Sequence, residues 1–319
     1  MEKTKLEQAL EKIKQAQNVL LVTHERPDSD ALASVCATID ILIKLKKKFL
    51  AYCYHKPGLQ FKYLIHLEKI TSEKNFNFSD FDLIIVVDCG SINRTKLENE
   101  INNKKENQFI IEFDHHQKTS DYSNLEIRNP KAVSTTEILY DFYKINKIKI
   151  NKNVATCILT GILADTANFL YPATTDRSIK ISSEMLSLGA QFPTIMENHY
   201  RNKSLAAMKV WGSAINNLEI NKKYNIAYSV LTEKELIESG ITEEELDGIS
   251  GFLSNLYGVN AILLLREEKD KIKGSLRAQH PDVDVSKLAR ILGGGGHTKS
   301  AGFEIKCELQ KTENGWRLK

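Results

Sequence analysis

Three apolar runs within the first 116 residues each end in groups that can carry charge or bind a cation. Val19-Leu20-Leu21-Val22 leads into His24-Glu25-Arg26-Pro27-Asp28-Ser29-Asp30. Leu83-Ile84-Ile85-Val86-Val87 leads into Asp88-Cys89-Gly90, and Phe109-Ile110-Ile111-Glu112-Phe113 into Asp114-His115-His116. Each run is too short for a helix and reads as a buried strand. Helical patterns flank them: Leu6, Leu10 and Ile13 share one face of residues 4–16, and Ala31 to Lys48 reads as helix. Phe49 to Tyr54 reads as a further strand. Alternating strands and helices predict an α/β, doubly wound, mainly parallel sheet. In such a sheet the three polar ends lie on one edge, where ligands bind. One such end alone reads equally well as a polar turn with an Asp N-cap; three together argue for a site.

Val133 to Ile145 and Asn153 to Asn168 read as helices. The second contains Gly161-Ile162-Leu163-Ala164-Asp165-Thr166. Asp165 is either a plain polar residue at a helix end or a group aimed at the sheet edge. Residues 177–218 read as largely helical. Beyond Asn221 strands are expected at Tyr224–Leu231, Val259–Arg266, Lys271–Arg277 and Ala301–Cys307, with helices at 232–239 and 285–292. The expected division is a metal-binding domain over 1–190, a helical linker over 191–218, and a smaller α/β domain over 219–319 across a cleft.

The gathered candidates are His24, Asp28, Asp30, Asp88, His115, His116 and Asp165. Asp28 and Asp30 stand two apart in an irregular turn, so each can face a different ion. Nitrogen and carboxylate donors without thiolates suit a divalent ion such as Mn²⁺. There are too many donors for one ion. Two ions sharing one carboxylate form a clamp on the attacking and leaving oxygens of a phosphoryl transfer. Asp88, alone at the end of the strongest strand, is the natural bridge. In the second domain the run Gly293-Gly294-Gly295-Gly296-His297 allows close approach of an anion to backbone N–H groups. Its plain alternative is a flexible loop. Arg277, in Ser275-Leu276-Arg277, offers a bidentate phosphate contact from a strand end.

Composition bounds the partners. The net charge of +3 is too weak for bulk duplex binding through a broad basic surface. The five cysteines include no CxxC pair, which favours buried free thiols in a reducing cytosol over disulfides or zinc. No apolar run approaches the roughly 20 residues of a membrane span, and no signal-peptide core is evident. The expected compartment is the cytoplasm, without membrane association.

These motifs, in this order, resemble the DHH/DHHA1 phosphoesterases, and within them the nano-RNase and pAp-phosphatase group. The resemblance extends to about Cys307. It implies that His24, Asp28 and Asp88 hold one Mn²⁺, and that Asp30, Asp88, His115 and Asp165 hold the other, with Mg²⁺ or Co²⁺ as alternatives. It implies that His116 contacts the phosphate, that Asp114 orients a histidine, and that Arg277, Gly294, Gly295, Gly296 and His297 grip the substrate. The implied substrates are short RNA or DNA oligonucleotides, dinucleotides and 3′-phosphoadenosine 5′-phosphate (pAp); a homodimer is left open. Ser29 stands where the family usually has glycine or alanine, and Leu32-Ala33 where it has small glycine-containing residues. Other readings are an exonuclease on longer single-stranded DNA, which needs additional binding surface, an inorganic pyrophosphatase, and a non-catalytic nucleotide-binding regulator.

Overall fold

The computed structural model describes residues 3–312 and 315–318. The chain divides into two units, Met1–Arg201 and Asn202–Lys319.

In the first unit, Leu6, Ala9, Leu10 and Ile13 form the buried face of α1 (Lys3–Gln15), as helical periodicity requires. There follow β1 (Asn18–Val22), α2 (Ser29–Lys44), β2 (Lys48–Tyr52), β3 (Ile70–Thr71), β4 (Leu83–Val87), α3 (Glu98–Asn102) and β5 (Phe109–Asp114). After them come β6 (Leu125–Arg128), α4 (Thr135–Ile145), α5 (Lys152–Asp165), α6 (Asp176–Ser187) and α7 (Phe192–Tyr200). The strands form one sheet in the order β3-β2-β1-β4-β5-β6. Every neighbouring pair is parallel.

Successive residues of the central strands enter different cores. Leu21, Ile85 and Ile111 pack with residues of α1, α2, α4 and α5, while Leu20, Ile84 and Ile110 join a smaller cluster. Both faces are covered, so these strands are continuously apolar instead of alternating. From β1 the chain steps outward to β2 and β3, then returns to β4 on the other side of β1. The order therefore reverses between β1 and β4, and at that switch point the loops leaving the strands diverge to open a crevice.

The helix expected as far as Lys48 stops at Lys44. Lys46 adopts a left-handed φ of 54°, which ends the helix, and Lys48 opens β2. Around this helix end Lys44 pairs with Asp40 at 2.6 Å, and Lys47 Nζ donates to the Ala16 carbonyl at 2.9 Å. Edge strands β3 and β6 had no clear sequence signal, being too short or only half-buried.

The second unit contains α8 (Leu205–Asn216), β7 (Glu219–Asn221), β8 (Ile226–Leu231), α9 (Glu233–Ser239), α10 (Ile249–Leu253), β9 (Ala261–Glu268) and β10 (Lys271–Ala278). It continues with α11 (Val285–Ile291), β11 (Gly295–His297), β12 (Ser300–Ile305), β13 (Leu309–Thr312) and β14 (Gly315–Leu318). Its main sheet runs β11-β12-β10-β9-β8-β7, and β13 pairs with β14. Of the main-sheet pairs, β8–β9 is parallel and the others antiparallel. The segment 191–218 is shared: α7 belongs to the first unit, whereas Val210 and Ala214 of α8 pack with Ala227 and Leu231 of the second.

The glycine run is a strand edge and not a flexible loop. A Cβ on Gly294 would lie 2.1 Å from the Gly302 carbonyl oxygen, and one on Gly296 would lie 2.5 Å from that of Ser300. Only glycine lets this backbone lie so close to β12. Among the described residues no helix is long and apolar enough to cross a membrane, and all five cysteines are free.

Candidate functional site

The loop from β1 into α2 is organised by capping. Asp28 is the N-cap of α2, and its Oδ1 accepts from the Ala31 N–H at 3.1 Å. Its Oδ2 is left facing His24 Nε2 at 3.8 Å. His24 is buried, and its Nδ1–H donates to the Glu25 carbonyl at 2.7 Å. That bond turns the unprotonated Nε2 inward, the tautomer a metal ligand needs. The same Nε2 lies 3.9 Å from Asp88 Oδ2.

Asp88 follows β4 in the left-handed region, at φ 52°. Strain of this kind persists only where the surrounding structure enforces it. Here the Asp88 N–H donates to the Phe113 carbonyl at 2.9 Å, and Oδ1 accepts from Thr135 Oγ1 at 2.8 Å. Asp30, though in the first turn of α2, is bound at the start of α4. Its Oδ2 accepts from the Thr135 N–H at 2.6 Å and its Oδ1 from the Thr136 N–H at 3.1 Å. A helix N-terminus offers such free donors and a favourable dipole. Space for Asp30 comes from Gly161, where a Cβ would sit 2.1 Å from Asp30 Oδ1 and 2.2 Å from Thr136 Oγ1.

Beyond β5, His115 Nε2 lies 3.5 Å from Asp88 Oδ1 and 3.4 Å from Asp165 Oδ2. Asp165 is the last residue of α5, and its carboxylate faces the His115 imidazole beyond β5. His116 Nδ1 donates to Asp114 Oδ1 at 2.7 Å and stands 3.5 Å from Asp88 Oδ1. Asp114 also accepts N–H groups from Gly90 at 2.7 Å and His116 at 2.9 Å. Burial opposes its charge, but the His116 hydrogen bonds and the charges of His116 and Arg128 together outweigh burial and hold Asp114 below the usual carboxylate range.

Three donor sets result, each with its atoms within 4.8 Å of one another: His24/Asp28/Asp88, Asp30/His115/Asp165, and Asp88/His115/His116. All seven clustered candidates fall in these sets, and Asp28 and Asp30 fall in different ones. Cys89 takes no part, since its Sγ donates to the Ser91 carbonyl at 3.3 Å. The carboxylates crowd one another. Burial, and then the charge of Asp28, push Asp30 up to about 7. Burial and then Asp30 raise Asp88 and Asp165 well above the ordinary range. Only protons or cations can relieve that repulsion.

In the second unit, Arg277 Nη1 donates to the Leu276 carbonyl at 3.0 Å, while its buried Nε has no partner. The Gly294 N–H, expected to be open, donates to the Ala289 carbonyl at 2.8 Å and closes the end of α11. Gly295 and Gly296 lie in β11; the His297 side chain lies outside the described residues.

Sequence reasoning missed Thr135, Thr136 and the space-making role of Gly161, because each acts through a tertiary contact. A Ser134 cap preceding Glu137 was the one available signal. The departures from the family pattern point away from the cluster or into the core: Ser29 Oγ lies 3.4 Å from His199 Nδ1 on α7, and Leu32 and Ala33 are fully buried.

Residues 18–162 match the DHH family, N-terminal domain, and residues 223–314 match the DHHA1 domain. The chain is 28% identical over 293 residues to the bifunctional oligoribonuclease and PAP phosphatase NrnA of Bacillus subtilis (strain 168), covering 90% of this chain and 89% of that protein. It is 28% identical to the probable bifunctional oligoribonuclease and PAP phosphatase NrnA of Streptococcus mutans, over 92% of this chain and 91% of the other. The crystal structure of an exopolyphosphatase-related protein from Bacteroides fragilis has a TM-score of 0.86 at 23% identity, covering 95% of this chain and 92% of that one. That likeness establishes the fold.

Proposed function

This chain belongs to the DHH/DHHA1 phosphoesterase family, and on that premise we propose that it hydrolyses short oligoribonucleotides, dinucleotides and pAp with two divalent cations, Mn²⁺ by preference. The observation that carries this reading is Asp88, a buried carboxylate shared by two of the three donor sets and flanked by the third. Its donor companions are imidazole nitrogens and carboxylate oxygens, which fit a hard or borderline divalent ion. The raised affinity of Asp30, Asp88 and Asp165 for protons is the behaviour of a carboxylate cluster built for more positive charge than its own side chains supply.

His24, Asp28 and Asp88 hold one ion; Asp30, Asp88, His115 and Asp165 hold the other. When bound, such a pair activates water and neutralises charge on the phosphoryl oxygens. The chain's own groups do the rest. Thr135 fixes the rotamer of Asp88, and the start of α4 fixes Asp30. Asp114 keeps a proton on His116 Nδ1 and aims the ring, so that Nε2 meets the phosphate. Arg277, with its unpartnered Nε, and the backbone of β11 with His297 take the substrate's second phosphate. A grip on a single further phosphate favours substrates of a few nucleotides. The modest net charge offers little for the remainder of a long strand.

The test is a length series of 5′-labelled RNA at fixed salt, run with pAp, with Mn²⁺ or with chelator. Turnover of pAp and dinucleotide should vanish with chelator, and kcat/KM should fall steeply from two nucleotides to about ten. Equal rates on a dinucleotide and a twenty-mer would favour the longer-strand exonuclease reading.

A further inference from the structure

Arg94 belongs to none of the groups assigned so far. It sits after β4 in a single turn, Ile92–Thr95. Its N–H donates to the Ser91 carbonyl at 3.1 Å, and its own carbonyl accepts from the Glu25 N–H at 2.6 Å. Thr95 Oγ1 braces the turn by donating to the Ile92 carbonyl at 2.6 Å and accepting from the Leu97 N–H at 3.0 Å. The backbone of Arg94 is thereby tied to the loop that carries His24 and Asp28.

Its side chain reaches back over the end of β4. Nη1 donates to the Cys89 carbonyl at 3.2 Å, which uses one of the five guanidinium donors. A Cβ built on Gly90 would lie 3.2 Å from the His116 ring and 3.5 Å from Arg94 Nη1. Imidazole and guanidinium thus flank the bare backbone of Gly90, whose φ of +66° disfavours any side chain there. The charge is near enough to act on both His24 and Asp28.

Three other cations of this unit have carboxylate partners. Lys96 pairs with Glu25 at 2.7 Å, Arg128 with Glu112, and Arg177 with Glu137 at 2.7 Å. Arg94 is half-buried and has no carboxylate partner among the described residues. Holding a guanidinium partly out of water with no carboxylate at ion-pair distance, Asp28 acting on it only from further off, leaves its charge incompletely compensated. An anion arriving beside His116 completes that compensation. The planar fork of arginine matches two oxygens of one phosphate.

We propose that Arg94 is the phosphate-binding arginine of the first unit, taking the non-bridging oxygens of the scissile phosphoryl group opposite His116. This rests on the phosphoesterase reading above and adds a substrate contact to it. Because the guanidinium is anchored before substrate arrives, it also offsets charge that builds on those non-bridging oxygens in the transition state. Its loss therefore lowers kcat as well as weakening binding.

The experiment titrates inorganic phosphate and adenosine 5′-monophosphate into the full-length protein by calorimetry, with Ca²⁺ replacing Mn²⁺ to suppress turnover. Wild type, Arg94→Ala and Arg94→Lys are compared, with metal content measured in each. Arg94→Ala should bind both ligands about 10- to 100-fold more weakly at unchanged metal content, and Arg94→Lys should lie between. Added guanidinium ion should restore several-fold of the lost affinity to Arg94→Ala, which a merely structural arginine would not allow. Equal phosphate affinity in Arg94→Ala and wild type overturns the proposal. So does loss of metal without rescue by guanidinium, or a wild type with no measurable phosphate affinity. A wild type that binds phosphate through Arg94 but cleaves no nucleotide would leave this site standing and remove the nucleotide reading alone.

Discussion

Asp30, Asp88 and Asp114 of the first unit are buried, and each carboxylate is held by donors from another part of the fold. In the second unit Arg277 keeps an unpartnered Nε, and β11 brings backbone to its edge with glycines. The first arrangement is preorganised: its donors are fixed by helix caps and strand ends before any ligand binds. The second is less fully paired, with a donor left over once the sheet is built. A centre that must hold like charges close together has to be rigid. A phosphate grip can be assembled from surplus donors on an existing strand.

The largest effect that tests this contrast comes from Asp88. Asp88→Ala should lower kcat/KM for a dinucleotide by ~10³-fold or more, about 4 kcal/mol of transition-state stabilisation, and more than the loss of any other single clustered carboxylate. Near-normal turnover would remove the shared-carboxylate reading.

A pair of glycine substitutions comes next. In Gly161→Ala the new methyl meets Asp30 Oδ1 and Thr136 Oγ1, so about 1–3 kcal/mol of stability should be lost together with most Mn²⁺ binding. Nothing lies within 4 Å of a Cβ on Gly295, so Gly295→Ala should leave both metal content and melting temperature nearly unchanged. Equal thermal shifts for the two variants, read by calorimetry, would erase the distinction between rigid and open regions.

A third test concerns Arg277→Ala, which should raise KM by about 10-fold, in the range of one charge-assisted hydrogen bond, at unchanged metal content. Stripping of metal by this substitution would show that the arginine is not a substrate group.

The smallest effect is a pH dependence. Burial and the neighbouring Asp28 raise Asp30 to about 7 in the folded state, against about 3.9 in an unfolded chain. A carboxyl raised in this way adds stability below the unfolded value, and that stability is lost as pH climbs through the folded value. The metal-free melting temperature should therefore fall by a few degrees between pH 5.5 and 8. Mn²⁺ should stabilise more at the upper end, where it no longer displaces protons. A metal-free melting temperature that rises across this window would contradict the crowded-carboxylate account.

The parts of the site legible in the sequence are those attached to strand ends. His24, Asp88, His115 and His116 follow apolar runs, and the parallel sheet carries them to one edge regardless of detail. The glycine run was visible too, but its strand character was not, because the contacts that require glycine come from Gly302 and Ser300 on the partner strand. Arg94 gave no signal: a lone arginine after Cys89-Gly90 acquires meaning only when its side chain folds back beside His116.

The order of apolar runs and helical patterns determined by itself that a doubly wound sheet would form, because buried parallel strands must be apolar on both faces and their polar ends must then lie together. The same order placed the ligand-type residues. Tertiary structure alone decided which oxygen of each carboxylate faces the centre. The start of α4 binds Asp30, Thr135 turns Asp88, and the absent side chain of Gly161 leaves the room. Those decisions rest on contacts between residues about 50 to 130 positions apart, and hydrogen bonds and steric exclusion act through distance in space, which periodicity along the chain does not record.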